Sequence, residues 1–583
     1  MNNRIFKDSL YEKRYISDLK DMIDSCARLY GGKTAFFVKD RPRGEYRPIT
    51  FTQFWIDINA LGTSFLEMGL KGKKIAVIGE NSYEWVVTYF AATNGTGVIV
   101  PIDRELKAKE IANLMNRAKV DAVVHSPKME KVMKEVLPMV KTVKHAVEMH
   151  TYSDNDDGKE MSVSKLIERG KASIDAGNLD FVNAEIDREA MCTLMFTSGT
   201  TGLAKGVMLS HKNLSANVYN MSKYVDVTDY IGLSVLPMHH SYEMTCHIFT
   251  GLYQGFAVAI CEGLRYIQPN MKEIHATVML GVPLIFESIY KRIWKTAEEA
   301  GRAEKMRKMI NISRKLKLYN NLPLMRRIFK PVHDNLGNNI LQWIVGGAAM
   351  NPKMIEDFEA MGIPMIQGYG MSENAPIIAV NRDRYSKAKS VGQAMPGTEI
   401  KIIDKDENGM GEIICRGPSV MIGYYDDPEL TAEVLKDGWL YTGDYGYMDD
   451  DGFLYISGRK KNVIVTKNGK NIFPEEVEFY LSENDYIEEA LVHGIEDERT
   501  GDTVVKAEIF PNYDLIASEK GDLNEDELRH FLKTVIDDVN DQMPPYKHVK
   551  RFGIRKEEFS KTTTRKIKRH TSDNMDNGNE EDA

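Results

Sequence analysis

The sequence predicts an α/β protein: a large N-terminal domain built on parallel sheets, a β-rich unit at its end, and a small α+β domain after it. Three observations lead there. Short apolar runs alternate with helical stretches through the first part of the chain, and such runs buried on both faces are the mark of parallel strands covered by helices. Near residue 398 the pattern changes to strict polar–apolar alternation. Beyond Gly458-Arg459-Lys460-Lys461 lie roughly 110 residues of mixed pattern, enough for a second compact domain.

The elements follow in order. Thr50-Phe51-Thr52-Gln53 has the spacing of a capping box, and Phe51, Trp55, Ile58, Leu61, Phe65 and Leu66 then recur with helical period up to Gly69. Ile75–Ile78, Val98–Val100, Ala122–Val124, Val278–Val282, Ile344-Val345 and Ile363–Ile366 read as buried strands. Glu399–Ile403 alternates, Asn408-Gly409 supplies a turn, and Glu412–Cys415 returns, so a hairpin opens a β-rich unit over about 390–455. The last thirteen residues, 571–583, carry five acids and no base and are expected to be a disordered acidic tail.

Composition narrows the function. The 583 residues are 43% hydrophobic and 28% charged, too long for a single core and ordinary for a soluble protein. A net charge of −9 argues against a general nucleic-acid binder, which needs a basic face. Five scattered cysteines form no Cys-x-x-Cys pair, so neither a zinc site nor a disulfide framework is expected. The charged N-terminus has no signal-peptide core, and no run is long enough to span a bilayer. A cytoplasmic protein is expected, touching membrane at most at its surface.

The segment richest in chemistry is Thr197-Ser198-Gly199-Thr200-Thr201-Gly202-Leu203-Ala204-Lys205-Gly206. It follows the apolar run Met191–Phe196, precedes Val207–Leu209, and Ser210 is placed to cap another helix. Glycines admit backbone N–H groups to a polyphosphate, hydroxyls donate to it, and one lysine offsets its charge. A Walker A loop is excluded, because Ala204 precedes the lysine and Gly206 follows it. Gly32-Lys33-Thr34 is excluded as well, since Ala27 stands where the first glycine belongs.

This loop closely resembles the phosphate loop of the adenylate-forming superfamily, and the likeness continues in order along the chain. Gly346-Gly347-Ala348-Ala349 resembles the family segment beside the adenine and acyl pocket. Tyr369-Gly370-Met371-Ser372-Glu373 looks like its Tyr-Gly-x-Thr-Glu motif, with Ser372 in place of threonine. The resemblance implies that the Tyr369 ring flanks adenine, the Ser372 hydroxyl meets phosphate, and Glu373, with Thr201, holds Mg²⁺. Gly438–Asp444 resembles the segment whose aspartate, here Asp444, accepts the ribose hydroxyls, and Arg459 resembles an arginine contacting ribose or phosphate. Lys461 falls at the family's domain hinge, Gly469 where pantetheine passes, and Lys561–Arg569 resembles the terminal motif whose catalytic lysine is Lys566. Arg565 departs from the usual glycine. His240 aligns with a histidine at the acyl pocket. The implied domains are residues 1–458, a hinge at 459–462, and a mobile domain over 463–570.

The chemistry needs these groups. A carboxylate is a poor electrophile until an AMP leaving group replaces oxide, and its attack on the ATP α-phosphate joins two anions, so the site must neutralise charge. The resemblance implies an ATP- and Mg²⁺-dependent ligase that forms acyl-AMP and passes the acyl group to coenzyme A. The segments Ser241–Glu243 and Val282–Glu287 resemble those of long-chain fatty acid–CoA ligases. A short tail after His570 and no acid beside His240 speak against a peptide-synthetase module. Transfer to an acyl-carrier protein, or an inactive binding scaffold, are the alternatives. Finally, residues 301–331 carry ten Lys/Arg against the single acid Glu304, with apolar residues interleaved, a composition suited to peripheral contact with anionic membrane.

Overall fold

The computed structural model describes residues 10–149, 161–197, 204–407, 409–466, 470–497, 503–562, 567–569, 574 and 581–582. The chain divides into two compact units, Met1–Ile400 with Cys415–Leu440, and Lys401–Ile414 with Tyr441–Ala583.

The first unit is organised by two sheets. One has seven strands in the order Gly423–Tyr424, Lys205–Ser210, Met191–Thr197, Val98–Ile102, Lys74–Ile78, Ala122–His125, His145–Glu148. Its strands from Met191–Thr197 to His145–Glu148 run parallel, and the Lys205–Ser210 and Gly423–Tyr424 edge is antiparallel. The other has nine strands, with a parallel centre made by Met365–Gly370, Gln342–Val345, Val278–Gly281, Ile231–Ser234, Ala257–Ile260 and Thr34–Val38. Each apolar run singled out in the sequence lies in or against one of these strands. Val278–Gly281, Gln342–Val345 and Ala257–Ile260 are buried at every position, which is why they show no alternation.

The helix Phe51–Glu67 starts where expected, with the Thr50 side chain accepting from the Gln53 amide. Phe51, Phe54, Ile58, Leu61 and Phe65 are its buried face. Trp55 is only partly buried, because its indole N–H donates to Asp24 at 2.7 Å and keeps the ring at the rim of the core.

One buried histidine ties three early segments together. His211 begins the helix His211–Ser222; its Nδ1 accepts from the Leu19 amide at 3.3 Å and its Nε2 donates to the Thr93 carbonyl at 3.0 Å. Those partners require the neutral ring.

The β-rich stretch is present. Glu399–Ile403, Gly411–Arg416, Leu435–Lys436, Trp439–Met448 and Leu454–Arg459 form a five-stranded sheet. The second unit continues with Ile487–Glu496, Thr503–Pro511 and Val549–Ile554, covered by Pro474–Ser482 and Glu525–Asn540 around Leu481, Val492, Ile509, Leu532 and Ile536. Of the stretch expected to be a disordered acidic tail, only residues 574, 581 and 582 are described. Asn574 is buried, its amide donating to the carbonyls of Ser560 and Lys568 and accepting from the Ser560 amide, and residues 581–582 pair with Arg551 and Phe552. Side-chain and backbone hydrogen bonds order these positions where apolar burial does not. Among the described residues, no helix is long and apolar enough to cross a membrane.

Burial pushes the His211 imidazole from 6.5 down to about 4, against the pull of Asp18 and Asp187. The unfolded chain therefore takes up this proton first, and stability is lost as pH falls from 6.5 toward 4, by up to about 3 kcal/mol. His211→Gln keeps a donor and an acceptor but does not titrate. Chemical unfolding across this range should show a flatter acid limb in the variant than in the parent.

Candidate active site

The site is built up from a hairpin. Met191–Thr197 and Lys205–Ser210 pair antiparallel with Thr197 opposite Lys205, so the glycine- and threonine-rich segment between them is the hairpin connection. Ser198, Gly199, Thr200, Thr201 and Gly202 lie outside the described residues. At its far end the returning strand runs into a helix. The Ser210 hydroxyl oxygen accepts from the Asn213 backbone amide, and the Asn213 side-chain oxygen accepts from the Ser210 backbone amide, a reciprocal cap.

Two further devices converge on this hairpin. The Asn213 side-chain amide donates to the carbonyls of Pro418 and Val420, at 2.8 and 2.7 Å, fixing the approach of the chain to the edge strand Gly423–Tyr424. That strand pairs with Val207 and Met208. Tyr424 is thereby set beside the start of the hairpin strand, with the Lys205 ammonium 5.2 Å from its ring centroid. Its hydroxyl donates to Glu373 Oε1 at 2.8 Å, in a buried setting.

Glu373 sits in the single turn Ser372–Asn374 at the end of strand Met365–Gly370. Asn217, from the helix that Ser210 caps, donates to the carbonyls of both Asn374 and Ile377, and the Met421 amide donates to the Glu373 carbonyl at 2.9 Å. Gly370 is required by close approach: a Cβ there would lie 2.2 Å from the Pro376 carbonyl oxygen. Tyr369 precedes it in the same strand, opposite Ala379.

The Ser372 hydroxyl lies 3.3 Å from that of Ser241. Ser241 follows His240 in a loop that Asn81 secures, donating to the Leu236 carbonyl and accepting from the Met238 amide. His240 is half-buried, its ring 4.3 Å from that of His239. Burial, aided by Arg104, pushes the His239 imidazole down to about 3, so that ring is neutral. Tyr242 donates to the Ile344 carbonyl at 3.1 Å, and its ring occupies the space a Gly346 side chain would need. Gly347 has φ +83, a conformation that favours glycine, and Ala348 follows in the same turn.

In the second unit Asp444 and Arg459 face each other across the hairpin Trp439–Met448 and Leu454–Arg459, Arg459 Nε 2.7 Å from Asp444 Oδ1. The carboxylate is buried and the guanidinium half-exposed. Gly469 and Lys566 lie outside the described residues.

The first unit thus links Thr197, Lys205 and Glu373 through Tyr424, and Ser372 to Ser241, two partners that the sequence motifs do not mark as site residues. Ser241 stands directly after His240 in the His240-Ser241-Tyr242 segment. Tyr424 stands 51 residues from its partner Glu373, and nothing in its local sequence announces it. One carboxylate with one oxygen engaged by Tyr424 suits a Mg²⁺ ion, which is commonly held by one or two carboxylates together with substrate phosphates. Among the described residues no cluster of three metal-ligating side chains competes with it.

Comparison with known proteins identifies the family. The AMP-binding enzyme family model matches residues 23–425, and the AMP-binding enzyme C-terminal domain model matches residues 461–575. Fatty acyl-CoA synthetase A of Dictyostelium discoideum is 28% identical over 489 residues, covering 78% of this chain and 71% of that protein. Long-chain-fatty-acid–CoA ligase ACSBG1 of Rattus norvegicus is 28% identical over 476 residues, covering 77% of this chain and 65% of the relative. The fold matches that of the anthranilate CoA ligase AuaEII, solved in complex with anthranoyl-AMP, with a TM-score of 0.74 at 19% identity over 95% of this chain and 96% of that one. Because the family model spans most of the chain, the chain belongs to the AMP-binding enzyme family.

Proposed function

We propose that the protein activates a long-chain fatty acid with ATP, as acyl-AMP, and passes the acyl group to coenzyme A. The observation that carries this reading is the Lys205–Tyr424–Glu373 arrangement at the foot of the hairpin. A cation and a buried carboxylate share one aromatic side chain there, beside a connection rich in glycine and hydroxyl groups. The fatty acyl-CoA synthetase relatives support a fatty acid and coenzyme A over a carrier protein. Without any polar recognition group, each buried methylene of a long chain contributes about 0.8 kcal/mol.

In the first step a carboxylate oxygen attacks the α-phosphorus, the α–β anhydride bond breaks, and pyrophosphate leaves. In the second, the coenzyme A thiol gives up its proton, its sulfur attacks the acyl carbon, and AMP leaves. Lys205 and the hydroxyls of Thr197, Ser198, Thr200 and Thr201, with the amides of Gly199 and Gly202, bind the phosphates. Glu373 and Thr201 would hold Mg²⁺, which when bound would supply positive charge beside the phosphates. Tyr424 orients Glu373, and Ser241 orients the Ser372 hydroxyl. Tyr369, Gly370, Gly347 and Ala348 line the adenine position, Asp444 and Arg459 bind ribose, and His240 borders the acyl carboxylate. Lys566 steadies the negative charge that develops at the α-phosphate, and Gly469 lines the path of the pantetheine. The domain scheme of residues 1–458, hinge 459–462 and mobile 463–570 is part of the same proposal.

Three outcomes test it. Glu373→Gln should raise the Mg²⁺ requirement for acyl-AMP formation and leave unfolding unchanged; equal adenylation to the parent at every Mg²⁺ concentration would refute the role. Tyr424→Phe removes a hydrogen bond to a charged acceptor, worth about 1.5–3 kcal/mol, and should cost adenylation roughly tenfold or more at low Mg²⁺. Lys566→Ala should slow acyl-AMP formation by about 10²–10³-fold, yet convert preformed acyl-AMP and coenzyme A to thioester near the parent rate. Single-turnover measurement of each half-reaction, with acids of varied length, separates these effects. Product analysis that finds acyl-AMP and no thioester overturns the ligase reading.

A further inference from the structure

The basic segment resolves into something more specific than its composition. Its helix Ala303–Lys315 buries Met306, Ile310 and Ser313 against the first unit. On the opposite face Lys305 precedes Lys308 by three residues, Lys308 precedes Ile312 by four, and Ile312 precedes Lys315 by three and Leu316 by four, so these five share a single exposed stripe, and exposed Lys317 follows it. Ile312 is 51% exposed and Leu316 63%.

The cations of this segment fall into two kinds. Arg307 stacks over Trp294 at 5.3 Å and lies 3.9 Å from Glu298, while Arg314 pairs with Asp357 at 2.7 Å. These arginines are committed to the fold. Lys305, Lys308, Lys315 and Lys317 have no ion-pair partner among the described residues. Singly exposed apolar residues are ordinary. Here two of them share a stripe with unpaired lysines, on a chain whose net charge is −9.

We infer that this stripe is a docking surface for an anionic lipid bilayer. Lysines there approach lipid phosphates while Ile312 and Leu316 enter the headgroup boundary, and each group gains from a different part of the same surface. A nucleic acid offers the phosphates but nothing for the two apolar side chains, and the acidic charge of the whole chain opposes it. The inference does not depend on which acid the enzyme activates.

Co-sedimentation of the whole chain with vesicles tests it. The protein should bind phosphatidylglycerol vesicles at low salt, be released by added salt, and leave phosphatidylcholine vesicles unbound. Lys308→Glu with Lys315→Glu should lower the partition by about tenfold or more. Ile312→Ser with Leu316→Ser, which leaves the charge unchanged, should lower it several-fold. Matching thermal unfolding curves establish that both double variants are folded. Equal partition to the two lipids, an unaffected serine variant, or duplex DNA bound as tightly as the vesicles would each overturn the inference. Loss of acyl-AMP formation with vesicle binding intact would count against the proposed function alone.

Discussion

The Lys205–Tyr424–Glu373 arrangement hangs from the strand Lys205–Ser210, which is paired on both edges. One neighbour, Met191–Thr197, delivers the chain into the glycine-rich connection; the other, Gly423–Tyr424, brings the tyrosine that holds Glu373. A strand with partners on both sides cannot slip by one residue without turning its side chains to the wrong face. Lys205, at one end, and the Ser210 cap, at the other, therefore have their directions set by the sheet. The charge arrangement follows from backbone register before any ligand is considered.

The large features of this fold were legible because burial writes them into composition. Strands covered on both faces are apolar throughout, and the runs at Val278–Gly281 and Gln342–Val345 read accordingly. Caps were legible for a different reason, since Thr50 and Ser210 each satisfy amides only three residues away. What escaped was set by contact between distant segments. Tyr424 owes its role to pairing with Val207, and Trp55 is drawn to the rim by Asp24; a local pattern holds neither partner. Asn574 is another such case, since it meets backbone groups of residues 560 and 568 that composition does not record.

The motifs carried by resemblance have unequal footing. Tyr369, Ser372 and Glu373 come with a physical explanation, in which Gly370 lets two backbone segments touch and Asn217 pins the turn beyond. Asp444 and Arg459 form a cross-strand pair whose buried carboxylate is held by a half-exposed guanidinium. The pairing fixes the direction in which the Asp444 oxygens face.

Asn217 has one more consequence. It rides on the helix that begins at the hairpin's end, and its single amide group grips the turn that presents Glu373. Fraying of that helix would release the carboxylate's turn and slacken the hairpin in one event. The Glu373 turn and the hairpin end should then share one opening free energy and exchange their backbone hydrogens together.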